Sequence, residues 1–134
     1  YDIASEFAQV FLYRVHTPLT AIVFTHAITA VAAILNIAPI VKEVTTRKLV
    51  SYGWQTAAGL HSAYSESPAP GPRVLPPEAP NEIAARAAQH GDDHVIKLSE
   101  ACLRFHEATK NERFLMVPAH ARAMLPENPV VARR

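Results

Sequence analysis

The sequence is poor in the residues that build several common kinds of functional site. Its 134 residues include one cysteine, Cys102, which excludes an internal disulfide framework and any CxxC zinc site. The four glycines are too scattered to form a glycine-rich dinucleotide or phosphate loop, and neither a nucleophile elbow nor an HExxH motif is present. The 13 Lys plus Arg nearly balance the 12 Asp plus Glu, which argues against a non-specific nucleic-acid or polybasic membrane binder.

The start of the chain, at Tyr1, shows no basic region followed by a small-residue cleavage site, so we expect no signal peptide and a cytoplasmic protein. Hydrophobic residues make up 49% of the chain and charged residues 19%, which is enough for one folded unit with a buried core. We expect residues 1–134 to form either a single helical domain or the C-terminal fragment of a larger all-α protein. Because there are seven histidines and one cysteine, imidazoles would supply most ligands of any bound metal.

The spacing of apolar residues predicts an all-α fold, an irregular bundle of about five to six helices. Thr17 before Pro18 is typical of a helix N-cap, and Pro39 predicts the end of the helix that starts there. Thr45 or Thr46 is expected to cap the third helix. The predicted helices cover residues 3–15, 19–38, 45 or 46 to 64, 82–89 with Asn81 as cap, 95–107 with Asp92 or Asp93 as cap, and 111–125 with a kink or break at Pro118.

A proline-rich stretch separates the third and fourth predicted helices. Six prolines fall between Pro68 and Pro80, and proline lacks the N–H that a helix or central strand needs. Residues 66–80 are therefore predicted to be an extended connecting loop. A recognition motif for proline-binding modules is the alternative interpretation.

The helix predicted over residues 19–38 is apolar and long enough to cross a membrane. His26, Thr25 and Asn36 interrupt it, its flanks carry no strong Lys/Arg asymmetry, and no second such segment exists. We therefore interpret it as the core helix of a soluble protein that does not bind membranes, with a membrane-associated protein as the alternative.

The densest group of polar residues runs from His90 to Lys97 and reads HGDDHVIK. On one helix His90, His94 and Lys97 share a face, and two imidazoles one turn apart commonly bind zinc or another transition metal. A lysine ammonium repels a metal, so Lys97 becomes a ligand only when it is deprotonated or carboxylated. In the alternative interpretation Asp92 or Asp93 caps a helix, Lys97 pairs with Asp93, and the histidines are surface residues.

Three further positions are candidates for function. His26 lies inside an apolar helix, where its imidazole is either hydrogen-bonded to a backbone carbonyl or coordinated to an ion. Tyr52 and Trp54 offer a stacking surface for a flat aromatic substrate, although such residues more often fill a helical core. Cys102 is expected to be a buried, inert thiol.

Three segments together resemble the C-terminal part of the questin oxidase-like family. They are residues 23–29 (VFTHAIT), residues 47–64 with YGWQ at 52–55, and residues 89–102 (QHGDDHVIKLSEAC). The last is close to the family's His-Gly-Asp-acid-His-x-Ile-Lys block. The segments occur in the family's order and cover most of residues 20–105.

The resemblance implies a largely α-helical oxygenase, of Baeyer–Villiger or ring-cleaving type, that acts on polycyclic aromatic polyketides such as anthraquinones. It also implies a non-haem Fe(II) bound by histidines and a carboxylated lysine, which on this chain would be His26, His90 or His94 or both, and Lys97. NADPH as a co-substrate is left open. A second chain or a missing N-terminal part would complete the site, and a non-catalytic helical structural or interaction module without metal is the alternative function.

Overall fold

The computed structural model describes residues 1–65 and 75–128, and it shows six α-helices there and no strand. The predicted all-α bundle is therefore confirmed. A short 3-10 turn, Ala38–Ile40, follows the second helix. The helices are α1 Asp2–Arg14, α2 Pro18–Ile37, α3 Glu43–Tyr64, α4 Pro80–His90, α5 Asp93–Thr109 and α6 Arg113–Met124.

The N-terminus of α2 is closed by a reciprocal pair of threonines. The Thr17 hydroxyl accepts a hydrogen bond from the Thr20 backbone N–H at 3.2 Å, and the Thr20 hydroxyl accepts one from the Thr17 N–H at 3.1 Å. Pro18 occupies the first helical position, where a missing N–H costs nothing. The predicted cap is confirmed, and α2 ends at Ile37, two residues before Pro39.

Two predicted caps are wrong because the helices start earlier. Helix α3 begins at Glu43, and the carbonyl of Lys42 accepts the N–H groups of Thr45 and Thr46, which are the predicted caps. Helix α4 begins at Pro80 after the cap residue Ala79, so Asn81 lies within the helix.

The proline-rich loop was predicted to run to Pro80. Proline suits the first helical turn, and so Pro80 belongs to α4, whereas residues 75–79 form an irregular segment. Residues 66–74 of the predicted loop lie outside the described residues.

Gly91 and Asp92 form a tight corner between α4 and α5. Gly91 adopts φ 75°, a left-handed conformation that a side chain disfavours, and it ends α4. Asp92 then accepts the N–H groups of His94 and Val95 at 2.9 and 3.1 Å, which confirms it as the cap of α5. Helix α6 continues through Pro118 without the predicted break.

The hydrophobic core lies mainly among helices α1, α2, α5 and α6. Helix α2 packs against α1, α3 and α5, and α6 packs against α5, α1 and α4. His120 of α6 is fully buried, and its Nε2 donates to the carbonyl of Val15 at 2.8 Å. Cys102 is buried, as predicted. The largest fully buried side chains include Phe11, Phe24, Phe105, Phe114, Ile28 and Leu98.

Helix α3 is held from one side. It packs mainly on α2, and Ala57 is its one buried residue. The large apolar side chains that it leaves exposed are Val44, Val50, Tyr52, Trp54 and Tyr64.

The segment Pro18–Ile40 is long and apolar enough to cross a membrane by length and composition, with a mean hydropathy of 2.0. Within the fold, 44% of its most apolar window is buried. A buried core helix passes the same test of length and composition.

Candidate metal site

Two histidines that are distant in sequence meet at the surface between α2 and α5. His26 is exposed on α2, and His94 stands in the first turn of α5, where the Asp92 cap fixes the backbone. Their ring centroids are 5.6 Å apart, and the ring planes are inclined by 78°. The structure therefore brings together two of the four predicted ligands.

Two carboxylates adjoin the His94 ring. Nδ1 of His94 lies 3.2 Å from Oδ1 of Asp93 and 3.6 Å from Oδ1 of Asp92. One potential ligand atom from each of these three residues lies within 4.8 Å of the others, and no other such group of His, Cys, Asp and Glu occurs among the described residues. The sequence predicted these aspartates as helix caps and Asp93 as the partner of Lys97, although their adjacency to His94 was a signal for a ligand role.

Lys97 joins this surface through Asp93. Its Nζ donates to Oδ2 of Asp93 at 2.8 Å, and both side chains are about two-thirds exposed, 66% and 65%. The hydrogen bond from Lys97, helped by the charge of His94, lowers the pKa of Asp93 although some desolvation opposes it. Asp93 is therefore ionised at neutral pH, and Lys97 acts here as its cationic partner.

His90 is directed to another part of the molecule. It is 4% exposed, and its Nε2 donates to the backbone carbonyl of Leu125 at 3.2 Å. The left-handed Gly91 interrupts the helix between His90 and His94, so the one-face geometry of a continuous helix does not apply. His90 consequently faces the end of α6, whereas His94 faces α2.

Tyr52 and Trp54, the predicted substrate-binding residues, lie on α3. Tyr52 is 62% exposed and Trp54 is 49% exposed. The Trp54 ring meets Phe7 of α1 edge to face, with centroids 6.3 Å apart. These aromatic faces are thus accessible, but they stand on a different helix from His94 and Lys97.

A surface groove of about 450 Å³ begins beside Lys97 and runs between α2 and α5. Its lining includes the small residues Ala33 and Ala101. At its far end Arg104 donates to the side-chain oxygen of Asn36 at 2.5 Å and pairs with Glu100 at 2.6 Å. The groove lining therefore combines small apolar residues with the charged residues Lys97, Glu100 and Arg104.

Comparison with known proteins gives no match: no protein-family model, no curated protein and no solved structure is similar to this chain. The resemblance to the questin oxidase-like family therefore stays a prediction.

The chemistry of the donor set at His94 suits a first-row transition metal. Two imidazoles and a carboxylate are the ligands that non-haem Fe(II) commonly takes, with open positions left for other groups. Nδ1 of His94 is buried and meets no hydrogen-bond criterion within the described ranges, and its nearest polar neighbour is Oδ1 of Asp93 at 3.2 Å. His94, Asp93 and Asp92 thus offer ligand atoms that lie within 4.8 Å of one another, and the His26 ring stands beside His94 outside that group.

Proposed function

We propose that this chain is a metal-dependent oxidoreductase of the questin oxidase type, or a piece of one. The single observation that supports it is the meeting of His26 and His94, two predicted ligands on separate helices, with ring centroids 5.6 Å apart. An ionised carboxylate adjoins the pair, since Oδ1 of Asp93 lies 3.2 Å from Nδ1 of His94.

In this proposal His26, His94 and Asp93 bind Fe(II), and a second chain or another part of a longer protein supplies the remaining ligands. Iron(II) would activate dioxygen beside the substrate when bound. The groove between α2 and α5 would hold a polycyclic aromatic polyketide against Ala33 and Ala101, near the metal. The use of a co-substrate such as NADPH is also part of the proposal, and it rests on the resemblance alone.

Lys97 has two possible states in this proposal. As an ammonium it orients Asp93 through the 2.8 Å hydrogen bond. As a carbamate it would repel the Asp93 carboxylate unless a cation lay between the two anions. Carboxylation of Lys97 and metal binding would therefore occur together, which an intact mass measured with bicarbonate, with and without metal, tests directly.

Titration of the purified protein with Co(II), a spectroscopic substitute for Fe(II), tests the metal site. We expect near-stoichiometric binding, weakened by at least about tenfold in His26→Gln and in His94→Gln, because each removes one ligand. His106→Gln is the matched control, since His106 lies on α5 and contacts Asn111 instead. Absence of binding, or equal weakening by the control, would contradict the proposal.

The second candidate function is a non-catalytic helical interaction module without metal. The exposed apolar side chains of α3, such as Tyr52 and Trp54, favour it because large exposed apolar surfaces commonly mark contact sites. The Co(II) titration separates the two candidates. A folded wild-type protein that binds no metal, with or without bicarbonate, supports the module.

A further inference from the structure

Helix α2 leaves one of its faces open to solvent. Six residues along that face are exposed or half-buried, and none is buried. The two at its ends are the large side chains of Leu19, 59% exposed, and Ile37, 39% exposed. The buried residues of α2, such as Phe24 and Ile28, lie on other faces of the helix. We call the six residues the α2 seam: Leu19, Val23, His26, Ala30, Ala33 and Ile37.

The spacing of the α2 seam is that of a coiled coil. Its members follow one another at intervals of four, three, four, three and four residues. This heptad spacing places side chains along one line of a helix, where a second helix covers them. None of the described helices covers the two large residues at the ends of the seam, since both stay exposed. The α2 seam is therefore a surface that fits a further helix.

The α2 seam carries no charge. No Asp, Glu, Lys or Arg occurs between Pro18 and Ile37, and Thr29 and Asn36, which line the groove beside the seam, are uncharged too. Nothing on α2 would attract an acidic or basic partner, and nothing on it would repel an identical helix. A second α2 helix offers the matching surface, which is apolar and uncharged over the same length.

The α2 seam has the same spacing from either end, since its intervals of four, three, four, three and four residues are symmetric. Two seams in antiparallel orientation therefore place every member opposite a member of the other copy. Such a pairing has a two-fold axis and closes on itself. In the two inner pairs an alanine faces a larger side chain, which lets the helices approach closely. The facing pairs are Leu19 with Ile37, Val23 with Ala33, and His26 with Ala30.

Helix α5 adds an exposed isoleucine at the middle of this pairing. It runs beside α2 with a constant offset, because His26 meets His94 and Asn36 accepts from Arg104, and each pair is 68 residues apart. The midpoint of the seam, position 28, is therefore level with Ile96, which is 42% exposed. A two-fold axis at that midpoint brings Ile96 towards Ile96 of the second copy.

The charged side chains of α5 near this axis are already paired within the helix. Lys97 lies 2.8 Å from Asp93, and Arg104 lies 2.6 Å from Glu100. These four residues therefore bring no net charge to the pairing, and no excess of one sign opposes the approach of a second copy.

The size of the α2 seam predicts how strong the pairing is. A strip of α2 about 30 Å long and about 10 Å wide on each copy covers about 600 Å² in total. Stable interfaces begin at about 1,200 Å², so the seam supplies about half of that area and Ile96 adds a little more. We therefore expect a weak dimer that dissociates on dilution.

We propose that two copies of this chain form a reversible dimer through the α2 seam, with their α2 helices antiparallel. The dimer covers the apolar face that a single copy leaves open, and the small side chain of Ala30 leaves room for the His26 ring of the other copy. The pairing is independent of the proposed metal site, since it requires no ligand atom from the second copy.

Sedimentation equilibrium of the purified protein tests the dimer, with a chelator present so that a bound metal cannot bridge two copies. We expect the mean mass to rise from that of a monomer towards twice that value between about 1 μM and about 1 mM protein. A protein that stays monomeric at every concentration would overturn the proposal. So would a monomer that co-sediments with vesicles of phosphatidylcholine and phosphatidylglycerol, because a membrane would then cover the seam.

Two complementary variants test the antiparallel arrangement. Leu19→Glu and Ile37→Lys each place a charge opposite an apolar side chain of the second copy, and each charge suits its end of the helix dipole, so folding is retained. Each variant alone should weaken the dimer by at least about tenfold. An equimolar mixture should pair again, because the introduced carboxylate then faces the introduced ammonium at one end while Leu19 faces Ile37 at the other.

Val44→Glu is the matched control, because Val44 is also 59% exposed but lies on α3 outside the seam. It should leave the dimer unchanged. Equal weakening by this control, a dimer that resists both seam variants, or a mixture that stays monomeric would overturn the proposal. The Co(II) result at His26 and His94 would stand independently of any of these outcomes.

Discussion

His26 and His94 stand edge to face on neighbouring helices, with ring centroids 5.6 Å apart. No local sequence pattern connects them, since α2 and α5 are separated in the chain by two other helices. Their proximity is produced by the packing of α2 on α5.

Replacing Lys97 by Gln is expected to raise the pKa of Asp93. The hydrogen bond from Lys97 is the largest cause of the lowered pKa, so its loss returns the carboxyl toward its ordinary value. Because the folded-state pKa lies below that of the unfolded chain, the stabilisation is present above the unfolded pKa of about 3.9 and is lost as the pH falls through the folded pKa. A carboxyl NMR titration measures the shift, and Lys48→Gln on α3 is the control that should leave Asp93 unchanged.

Thr17→Ala is expected to lower the free energy of unfolding by about 1 kcal/mol. It removes the hydroxyl that accepts the Thr20 N–H and leaves the first turn of α2 without its cap. Urea denaturation measures the loss. Thr56→Ala, at an exposed position within α3, should change the stability by no more than about 0.5 kcal/mol. Equal effects of the two variants would show that the cap does not stabilise the fold.

Gly91→Ala and Gly59→Ala are expected to change stability in opposite directions. Gly91 has φ 75°, which a Cβ makes unfavourable, so alanine there should cost about 1 kcal/mol. Gly59 lies in the interior of α3 with open space where a Cβ would stand, so alanine should stabilise the protein by about 0.5–1 kcal/mol. Thermal unfolding of both variants checks the signs. A stabilising Gly91→Ala would mean that the corner between α4 and α5 is not left-handed in solution.

The thiol of Cys102 is expected to react with iodoacetamide only after the protein unfolds. Burial raises the pKa of the thiol far above its ordinary value, so the folded protein contains almost no thiolate. Because the raised pKa belongs to the folded state, folding stability should fall as the pH rises above about 8.5, where an unfolded thiol ionises. Cys102→Ala should remove that part of the pH dependence. Rapid labelling under native conditions would contradict the buried position.

The sequence predicted the features that depend on a few neighbouring residues. Thr17 with Pro18 and Gly91 with Asp92 are strong local signals, and both formed as expected. Thr45 and Asn81 are equally good capping residues, yet the chain begins those helices earlier. Capping propensity alone does not decide where a helix begins when several neighbouring residues could each precede its first turn.

Only part of the candidate site could be predicted from the sequence. The arrangement of His90 relative to His94, and of His94 relative to His26, depends on tertiary structure. The spacing of His90 and His94 assumed a continuous helix, and the glycine between them directed the two rings to different partners. The meeting of His94 with His26 depends on how α2 packs against α5, which spacing alone does not contain.

The one-sided attachment of α3 sets the order in which the structure opens. Helix α3 is held mainly by its packing on α2, with Ala57 buried, and Trp54 reaches Phe7 of α1. Its amides should therefore exchange with deuterium sooner than those of α5, through a partial detachment that leaves the rest of the bundle assembled. The other helices would then unfold together while α3 detaches separately, and a ligand bound to α3 would slow that detachment.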